Sequence, residues 1–184
     1  MAPNVEREIK LRFESSGAAR LAVESIGATP LRARRLQDDA LFDWPDSRLR
    51  NTRHLLRVRQ EEGHTTLTFK GPPQSATMKV REEIESTAGD GSNLVMILER
   101  LGLEVWFRYQ KYRQEFAHAG VILAVDETPV GTFIELEGDE AGIIQIATSM
   151  GRSQGDYILE SYRDIFLRDR RAQGLSAVDM VFDG

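Results

Sequence analysis

Apolar and polar residues alternate with period two along most of this chain, which is the pattern of half-buried β-strands. The alternation begins at residues 5–13 and returns in a predicted hairpin, whose strands at 54–61 and 65–70 meet around Glu62 and Gly63. Further strands are predicted at residues 29–42, 78–86, 105–116, 121–126 and 132–138. About eight strands of this kind suit a closed barrel or tunnel.

Helices are predicted in the remaining segments. Ser15 or Ser16 is a suitable N-cap for a short helix that runs through Ile26 and ends at Gly27. The later helical segments are residues 93–101, 140–150 and 157–168. The sequence therefore predicts an α+β protein that is mainly β, a closed antiparallel eight-stranded β-tunnel with flanking helices. We expect a single domain over residues 1–184, with its core at about 4–170.

The polar faces of these strands are almost entirely charged. On one strand, such a face is typical of a solvated surface with cross-strand ion pairs. An outer surface would also carry Ser, Thr, Gln and Asn freely, however, and six strands here carry few of them. The repeated pattern therefore favours charged faces that point inward and apolar faces that pack under helices. The charged positions are Glu6, Glu8, Lys10, Arg12, Arg57, Arg59, Glu61, Lys70, Lys79, Arg81, Glu83, Glu85, Lys111, Arg113, Glu115, Glu135 and Glu137.

A lumen that contains so many charges implies a ligand of matching chemistry. Burying charged groups without partners is costly, so the lumen must pair them and coordinate something. A triphosphate with Mg²⁺ or Mn²⁺ meets both needs, because Arg and Lys bind phosphate oxygens while carboxylates bind a hard cation. The absence of Cys, with only three scattered His, argues against Zn²⁺.

Composition narrows the class of partner. The net charge is -5, whereas proteins that bind a nucleic-acid polymer usually present a basic face. The first residues contain no apolar leader, and no apolar run approaches the ~20 residues that cross a membrane. We therefore expect a cytoplasmic protein, monomer or homodimer, whose partner is a small triphosphate rather than a nucleic-acid polymer or a membrane.

The order of the charged strands resembles one known family. Val-Glu-Arg-Glu-Ile-Lys at residues 5–10 matches the Glu-x-Glu-x-Lys signature of CYTH domains, the triphosphate tunnel metalloenzymes. The later strands resemble the same family in the same order, over residues 4–170. They read Leu-Arg-Val-Arg at 56–59, Lys-Gly-Pro at 70–72, Arg-Glu-Glu-Ile-Glu at 81–85, Lys-Tyr-Arg at 111–113, and Gly-Thr-Phe-Ile-Glu-Leu-Glu at 131–137 after Asp126.

The resemblance implies a role for each charged position. Phosphate would be bound by Lys10, Arg57, Arg59, Lys70, Arg81, Lys111 and Arg113. Mg²⁺ or Mn²⁺ would be held by Glu6, Glu8, Glu135 and Glu137, with Asp126 and Glu83 assisting. Arg12, Lys79 and Glu85 are expected at the rim or behind these groups. The three histidines, His54, His64 and His118, are expected at surface turns, and no general base is assigned.

Three functions remain open from the sequence. The family that the chain resembles includes class IV adenylyl cyclases, thiamine triphosphatases and inorganic tripolyphosphatases. Segments at residues 37–45, 97–103 and 127–133 resemble the cyclase branch and favour conversion of ATP to cyclic AMP and pyrophosphate. A shared scaffold would contain the same segments, so triphosphate hydrolysis and non-catalytic triphosphate binding stay open. The C-terminal helix is expected to pack on the barrel wall or to close one tunnel mouth.

Overall fold

The computed structural model describes residues 5–74, 77–176 and 178–183. Eight strands lie in these ranges and close into one barrel in the order β1-β5-β4-β3-β2-β6-β7-β8, with every neighbouring pair antiparallel. The strands are β1 Val5–Phe13, β2 Thr29–Asp43, β3 Leu55–Glu61, β4 His64–Lys70, β5 Lys79–Ala88, β6 Glu104–His118, β7 Val121–Thr128 and β8 Gly131–Glu137. The predicted class and the predicted eight-stranded closed barrel are confirmed.

The helices of the described ranges lie outside the barrel. They are α1 Ser16–Ser25, α2 Arg48–Asn51, α3 Gly91–Arg100, α4 Glu140–Ser149 and α5 Tyr162–Ala172, with a 3₁₀ turn at Gln154–Asp156. Side chains cap four of them, because Ser15, Asp90, Asp139 and Ser161 each accept a backbone N–H of the first turn. The predicted N-cap at Ser15 is confirmed.

The sequence missed α2 and placed the start of α5 too early. The α2 turn depends on Asp43, whose buried carboxylate accepts the backbone N–H groups of Leu49 and Arg50, both at 3.0 Å. Such a contact between distant backbone groups has no periodic signal. Helix α5 begins at Tyr162 because the preceding segment is extended, with Ile158 paired to Lys10.

Apolar faces of the strands meet the helices, and the largest core lies under α1 and α4. Lys10 shows how the two faces separate, since it is 2 % exposed between two residues of that core, Ile9 and Leu11. A second cluster lies at one end of the barrel under α5, and a third lies under α3. The second contains Leu41, Phe107, Phe133, Tyr162, Ile165, Phe166 and Met180, and the third contains Phe42, Val58, Leu98 and Leu103.

Two short segments extend the barrel beyond its strands. Pairing of β1 with β5 ends at Glu8, and the next backbone groups of β1 bond instead to Ile158, with N–O distances of 3.1 and 2.9 Å at Lys10. In the same way Met180 bonds to β6 at Arg108 and Gln110. The first of these pairings brings α5 to one mouth of the tunnel.

No helix in the described ranges is both long enough and apolar enough to cross a membrane.

Leu136→Ala should lower the free energy of unfolding by about 2–5 kcal/mol, because Leu136 is fully buried in the largest core. Leu21→Ala is the matched control, since Leu21 is 67 % exposed on α1 and its loss should cost less than about 0.5 kcal/mol. Urea denaturation followed by circular dichroism measures both. Equal losses would contradict the assignment of the core to this face of β8.

Candidate active site

The inward-facing residues line a cavity of about 1100 Å³ inside the barrel. Of the residues predicted to bind phosphate or metal, all except Asp126 line it directly. Lining residues are Glu6, Glu8, Lys10, Arg57, Arg59, Lys70, Arg81, Glu83, Lys111, Arg113, Glu135 and Glu137. Lys79 and Glu85 also line it, while Arg12 is exposed at the end of β1 and donates to the carbonyl of Val130.

Lys10 occupies the middle of one wall and is held by carboxylates on both sides. Its Nζ lies 3.0 Å from Glu8 and 3.3 Å from Glu135 on the neighbouring strand β8. Burial alone would raise the pKa of Glu8, but Lys10 and then Lys79 overcome this effect and hold that pKa far below its ordinary value. Burial would likewise lower the pKa of Lys10, yet Glu8 and Glu135 raise it. Both groups are therefore charged at neutral pH.

Asp126 lies behind the lumen wall and organises the cations of β6. It is fully buried, and its carboxylate accepts from Lys111 at 2.9 Å and from Arg113 Nε at 2.7 Å. The hydroxyl of Tyr162 donates to the same carboxylate at 2.8 Å. Burial, and then repulsion by Arg113, lower the pKa of Lys111 to about 8. The sequence placed Tyr162 on a helix that could close one tunnel mouth but did not predict its contact with Asp126, because Tyr162 reaches the lumen from α5 rather than from a strand.

Carboxylates crowd together on the wall formed by β1, β5 and β8. Lys70 Nζ bridges Glu6 at 2.7 Å and Glu83 at 3.0 Å. Loss of hydration raises the pKa of Glu83 to about 7 against the pull of Lys70, and Glu6 adds to the rise. Loss of hydration and then Glu6 and Glu8 raise the pKa of Glu137 to about 7, although this residue is exposed at the rim, where solvent moderates the effect.

Asp39 fixes the arginines of β3 and was not predicted as a site residue. Arg59 grips its fully buried carboxylate with two nitrogens, at 2.8 and 3.1 Å, and Arg57 Nε lies 3.5 Å away. Burial would raise the pKa of Asp39, but Arg59 and Arg57 lower it. A signal was present in the sequence, because Arg35, Gln37 and Asp39 are polar at alternate positions of β2, as on the other charged strand faces. The structure shows that all three are buried.

Arg81 lines the cavity but is engaged with the backbone. Its Nε donates to the carbonyl of Gly71 at 2.8 Å, and a second nitrogen donates to the same oxygen. This contact ties β5 to the residue that follows β4. The phosphate-binding role of Arg81 stays a prediction.

One end of the lumen is neutralised by its own ion pairs. Arg35 lies 2.8 Å from Glu61 and 2.7 Å from Glu115, and Gln37 also donates to Glu61. These four side chains come from three adjacent strands, β2, β3 and β6. Arg32 of β2 also pairs with Glu61 and Glu115, so two arginines balance two carboxylates and leave little free charge for an anionic ligand at that end.

The histidines lie where surface turns and strand ends were expected. His54 stacks on Phe69 with ring centroids 5.5 Å apart, and His64 is exposed at the start of β4. His118 ends β6 and is half-buried. His54 and His64 nevertheless also line the cavity.

The lumen fits a hard divalent cation by its chemistry rather than by a preset geometry. In the described ranges, no three carboxylates or imidazoles already converge on one point as a metal site requires. Most inner carboxylates are drawn instead to an ammonium or guanidinium group, as Glu8 is to Lys10, Glu6 to Lys70 and Glu135 to Arg113. The available donors are carboxylate oxygens, which Mg²⁺ and Mn²⁺ prefer. A cation would offset the loss of hydration, and then the carboxylate repulsion, that raise the pKa of Glu83 and Glu137.

Comparison with known proteins places this geometry in a family. The CYTH domain family matches residues 4–162. A protein of Methanocaldococcus jannaschii named "Putative adenylate cyclase" is 26% identical over 172 residues, which cover 88% of this chain and 98% of that protein.

Solved structures share the fold over nearly their whole length. A "putative adenylate cyclase" from Vibrio parahaemolyticus has a TM-score of 0.78 at 21% identity and covers 90% of this chain and 99% of its own. A protein from Pyrococcus horikoshii has a TM-score of 0.75 at 25% identity, with 90% and 99% covered. A Hippeastrum protein described as a "putative adenylyl cyclase" with "a dominant triphophatase activity" has a TM-score of 0.67 at 17% identity, with 94% and 97% covered.

Asp126→Asn should lower the free energy of unfolding by roughly 3–5 kcal/mol, because it removes the buried charge that Lys111 and Arg113 share. Glu127→Gln is the matched control on the next residue, where the partner is the exposed Arg34 and the expected loss is about 0.2–1 kcal/mol. Chemical denaturation at neutral pH compares the two variants. If Asp126→Asn cost no more than the control, Asp126 would not be the anchor of the β6 cations.

Proposed function

The chain belongs to the CYTH domain family, and we propose that it is a divalent-metal-dependent enzyme that acts on a triphosphate held inside the charged tunnel. One observation carries this proposal: lysines and arginines from β1, β3, β4 and β6 face carboxylates from β1, β5 and β8 across a single cavity. A polyanion with a hard cation satisfies both sets at once. Neither ligand alone would do so.

In this proposal the phosphate oxygens are bound by Lys10, Arg57, Arg59, Lys70, Arg81, Lys111 and Arg113, of which Arg81 also donates to the carbonyl of Gly71. Asp39 and Asp126 are positioning residues. Each carboxylate fixes two of these cations, and neither carboxylate lines the cavity itself. Preorganised cations of this kind stabilise negative charge that grows on a phosphoryl group in the transition state.

The metal would be held by Glu6, Glu8, Glu135 and Glu137, with Glu83 and Asp126 nearby. When bound, the ion would supply Lewis-acid neutralisation of phosphate oxygens. Ligand binding then amounts to an exchange of partners, in which phosphate oxygens replace carboxylates at the lysines and the freed carboxylates turn to the cation. This exchange explains why buried ion pairs can occupy the lumen without blocking it.

The proposed reaction is the class IV adenylyl cyclase reaction, in which the ribose 3'-hydroxyl of ATP attacks the α-phosphorus and pyrophosphate leaves. Its support is the Methanocaldococcus jannaschii relative named "Putative adenylate cyclase", which matches over nearly its whole length. The residues of this chain would bind and orient the triphosphate, and the cations would carry the charge that develops on the pyrophosphate.

Hydrolysis of a triphosphate is the second candidate, since a Hippeastrum protein of the same fold is described as having a dominant triphosphatase activity. The same cations would serve both reactions. They differ in the nucleophile, which in hydrolysis is a water that attacks a terminal phosphorus.

Product analysis separates the candidates. The purified protein is incubated with Mg²⁺ or Mn²⁺ and with ATP, tripolyphosphate or thiamine triphosphate in separate reactions. We expect cyclic AMP and pyrophosphate in equal amounts from ATP. Orthophosphate without cyclic AMP would replace the cyclase by a hydrolase, and tight binding of these compounds without turnover would indicate a binding protein.

The affinity for Mn²⁺ should fall as the pH is lowered through about 7, because Glu83 and Glu137, with pKa values near 7, take up protons that compete with the ion. Titration calorimetry at pH 6, 7 and 8 measures this dependence. Glu137→Gln should weaken binding at pH 8 and flatten the pH dependence, whereas Glu24→Gln on the exposed face of α1 should do neither. Affinity that is constant from pH 6 to 8 would contradict the role of these carboxylates.

A further inference from the structure

The proposed phosphate and metal contacts, from Glu6 and Lys10 to Lys111 and Glu137, form the charged zone of the cavity. Beyond this zone the cavity continues into a mouth of different chemistry, between α2 and α5. This aromatic mouth is formed by Leu55, Trp106, Tyr109 and Leu159, with Arg50 and Arg163 at its rim. The aromatic mouth and the charged zone are continuous, because the hydroxyl of Tyr109 in the mouth lies 3.5 Å from Nη1 of Arg57 in the charged zone. None of the proposed phosphate or metal contacts uses the aromatic mouth.

Trp106 is directed to this mouth by a β-bulge. The pairing of β2 with β6 passes from Leu41–Phe107 to Phe42–Val105, and Trp106 is left as the extra residue of β6. A bulge interrupts the strict alternation of faces and redirects a side chain, and bulges are common beside functional sites. The half-buried indole of Trp106 consequently lines the cavity instead of pointing to the outer face of the barrel.

Two guanidinium groups lie against this indole. The central carbon of Arg50 is 4.5 Å from the ring centroid of Trp106, and that of Arg163 is 4.7 Å away. Arg50 is held there by the buried carboxylate of Asp43, 3.2 Å from its Nε. Within the described ranges, Nε of Arg163 is buried and has no hydrogen-bond partner. The mouth thus offers the planes of an indole and two guanidinium groups, together with an N–H donor, Nε of Arg163, that has no partner among the described residues.

The charge of the mouth selects the kind of ring that it can accept. Arg50, Arg53 and Arg163 line this part of the cavity together with one carboxylate, Asp164, which lies 3.7 Å from Arg163, so positive charge predominates at the opening. Guanidinium planes and aromatic rings stack well on the faces of neutral nucleobases. A cationic ring such as a thiazolium would meet repulsion, and the cation-binding face of Trp106 is already approached by two arginines.

We propose that the aromatic mouth binds the base of a nucleoside triphosphate whose phosphates lie in the charged zone. This inference rests on the proposed function, because it requires that the charged zone hold the triphosphate. It makes Trp106 and Arg163 specificity-determining residues, which favour nucleoside triphosphates over thiamine triphosphate and over bare tripolyphosphate.

The test compares ligands that share the triphosphate and differ in the organic group. Dissociation constants for ATP, tripolyphosphate and thiamine triphosphate are measured by calorimetry with Ca²⁺ in place of Mg²⁺ or Mn²⁺, and each ligand is checked afterwards to confirm that no turnover accompanied binding. Trp106→Leu should lower the preference for ATP over tripolyphosphate about tenfold, the scale of one lost base-stacking contact, because it removes the indole that backs the guanidinium planes of Arg50 and Arg163. Trp44→Leu is the matched control: Trp44 is also half-buried and carries Arg48 at 4.7 Å, but it lies outside the cavity. The Trp44→Leu variant should prefer ATP over tripolyphosphate to the same degree as the wild type.

A second variant keeps the test decisive if Trp106→Leu unfolds. Arg163→Gln should lower the affinity for ATP and raise that for thiamine triphosphate relative to ATP by about threefold or more, since it removes one repelling charge. Arg168→Gln, on the exposed side of the same helix, should leave both ratios unchanged.

The two levels of the proposal fail in different ways. If tripolyphosphate binds but the ligand preferences do not change in either mouth variant, the aromatic mouth does not bind the base and the charged zone keeps its role. If none of the three compounds binds to the wild-type protein, the proposed function is overturned and this inference with it.

Discussion

Mutual neutralisation of charges inside the barrel is the constraint on which this structure depends. Lys10 and Lys111 are buried and Arg113 is half-buried in a region where an unpaired charge would be costly, and each has a carboxylate within hydrogen-bond distance. The pairs cross between strands, as when Lys10 of β1 meets Glu135 of β8. The same pairs that allow the barrel to close therefore also hold the cations and carboxylates that a ligand would need.

The barrel could be predicted because its periodicity is simple, whereas the positioning residues could not. Alternation at Glu6, Glu8 and Lys10 reports which face a side chain occupies, and this is enough to place it in the lumen. Alternation says nothing of which atoms meet. Asp126 was expected near the metal and is bonded to Lys111, Arg113 and Tyr162, while Tyr162 arrives from a helix far along the chain.

Contacts made by backbone groups were likewise hidden in the sequence. Ile158 extends β1 through its backbone, so its side chain carries no sign of the pairing, and the expected helix consequently began too early. Asp43 orders α2 by accepting backbone N–H groups, and a lone aspartate at a strand end gives no such indication. These two features bring α2 and α5 to the mouth where Arg50 and Arg163 meet Trp106.

The bulge at Trp106 shows that one extra residue in β6 is enough to change which face a side chain occupies. The lumen is therefore more sensitive to a change in the length of β6 than to a substitution within it. Because side chains alternate, the deletion of one residue between Trp106 and Lys111 would turn Lys111 and Arg113, or the residues before them, to the opposite face. The loss of a single codon there would thus remove several lumen charges together. A substitution in the same stretch would change one. Strand β6 should therefore tolerate an insertion or deletion of two residues better than one of a single residue, because only the former keeps each side chain on its face.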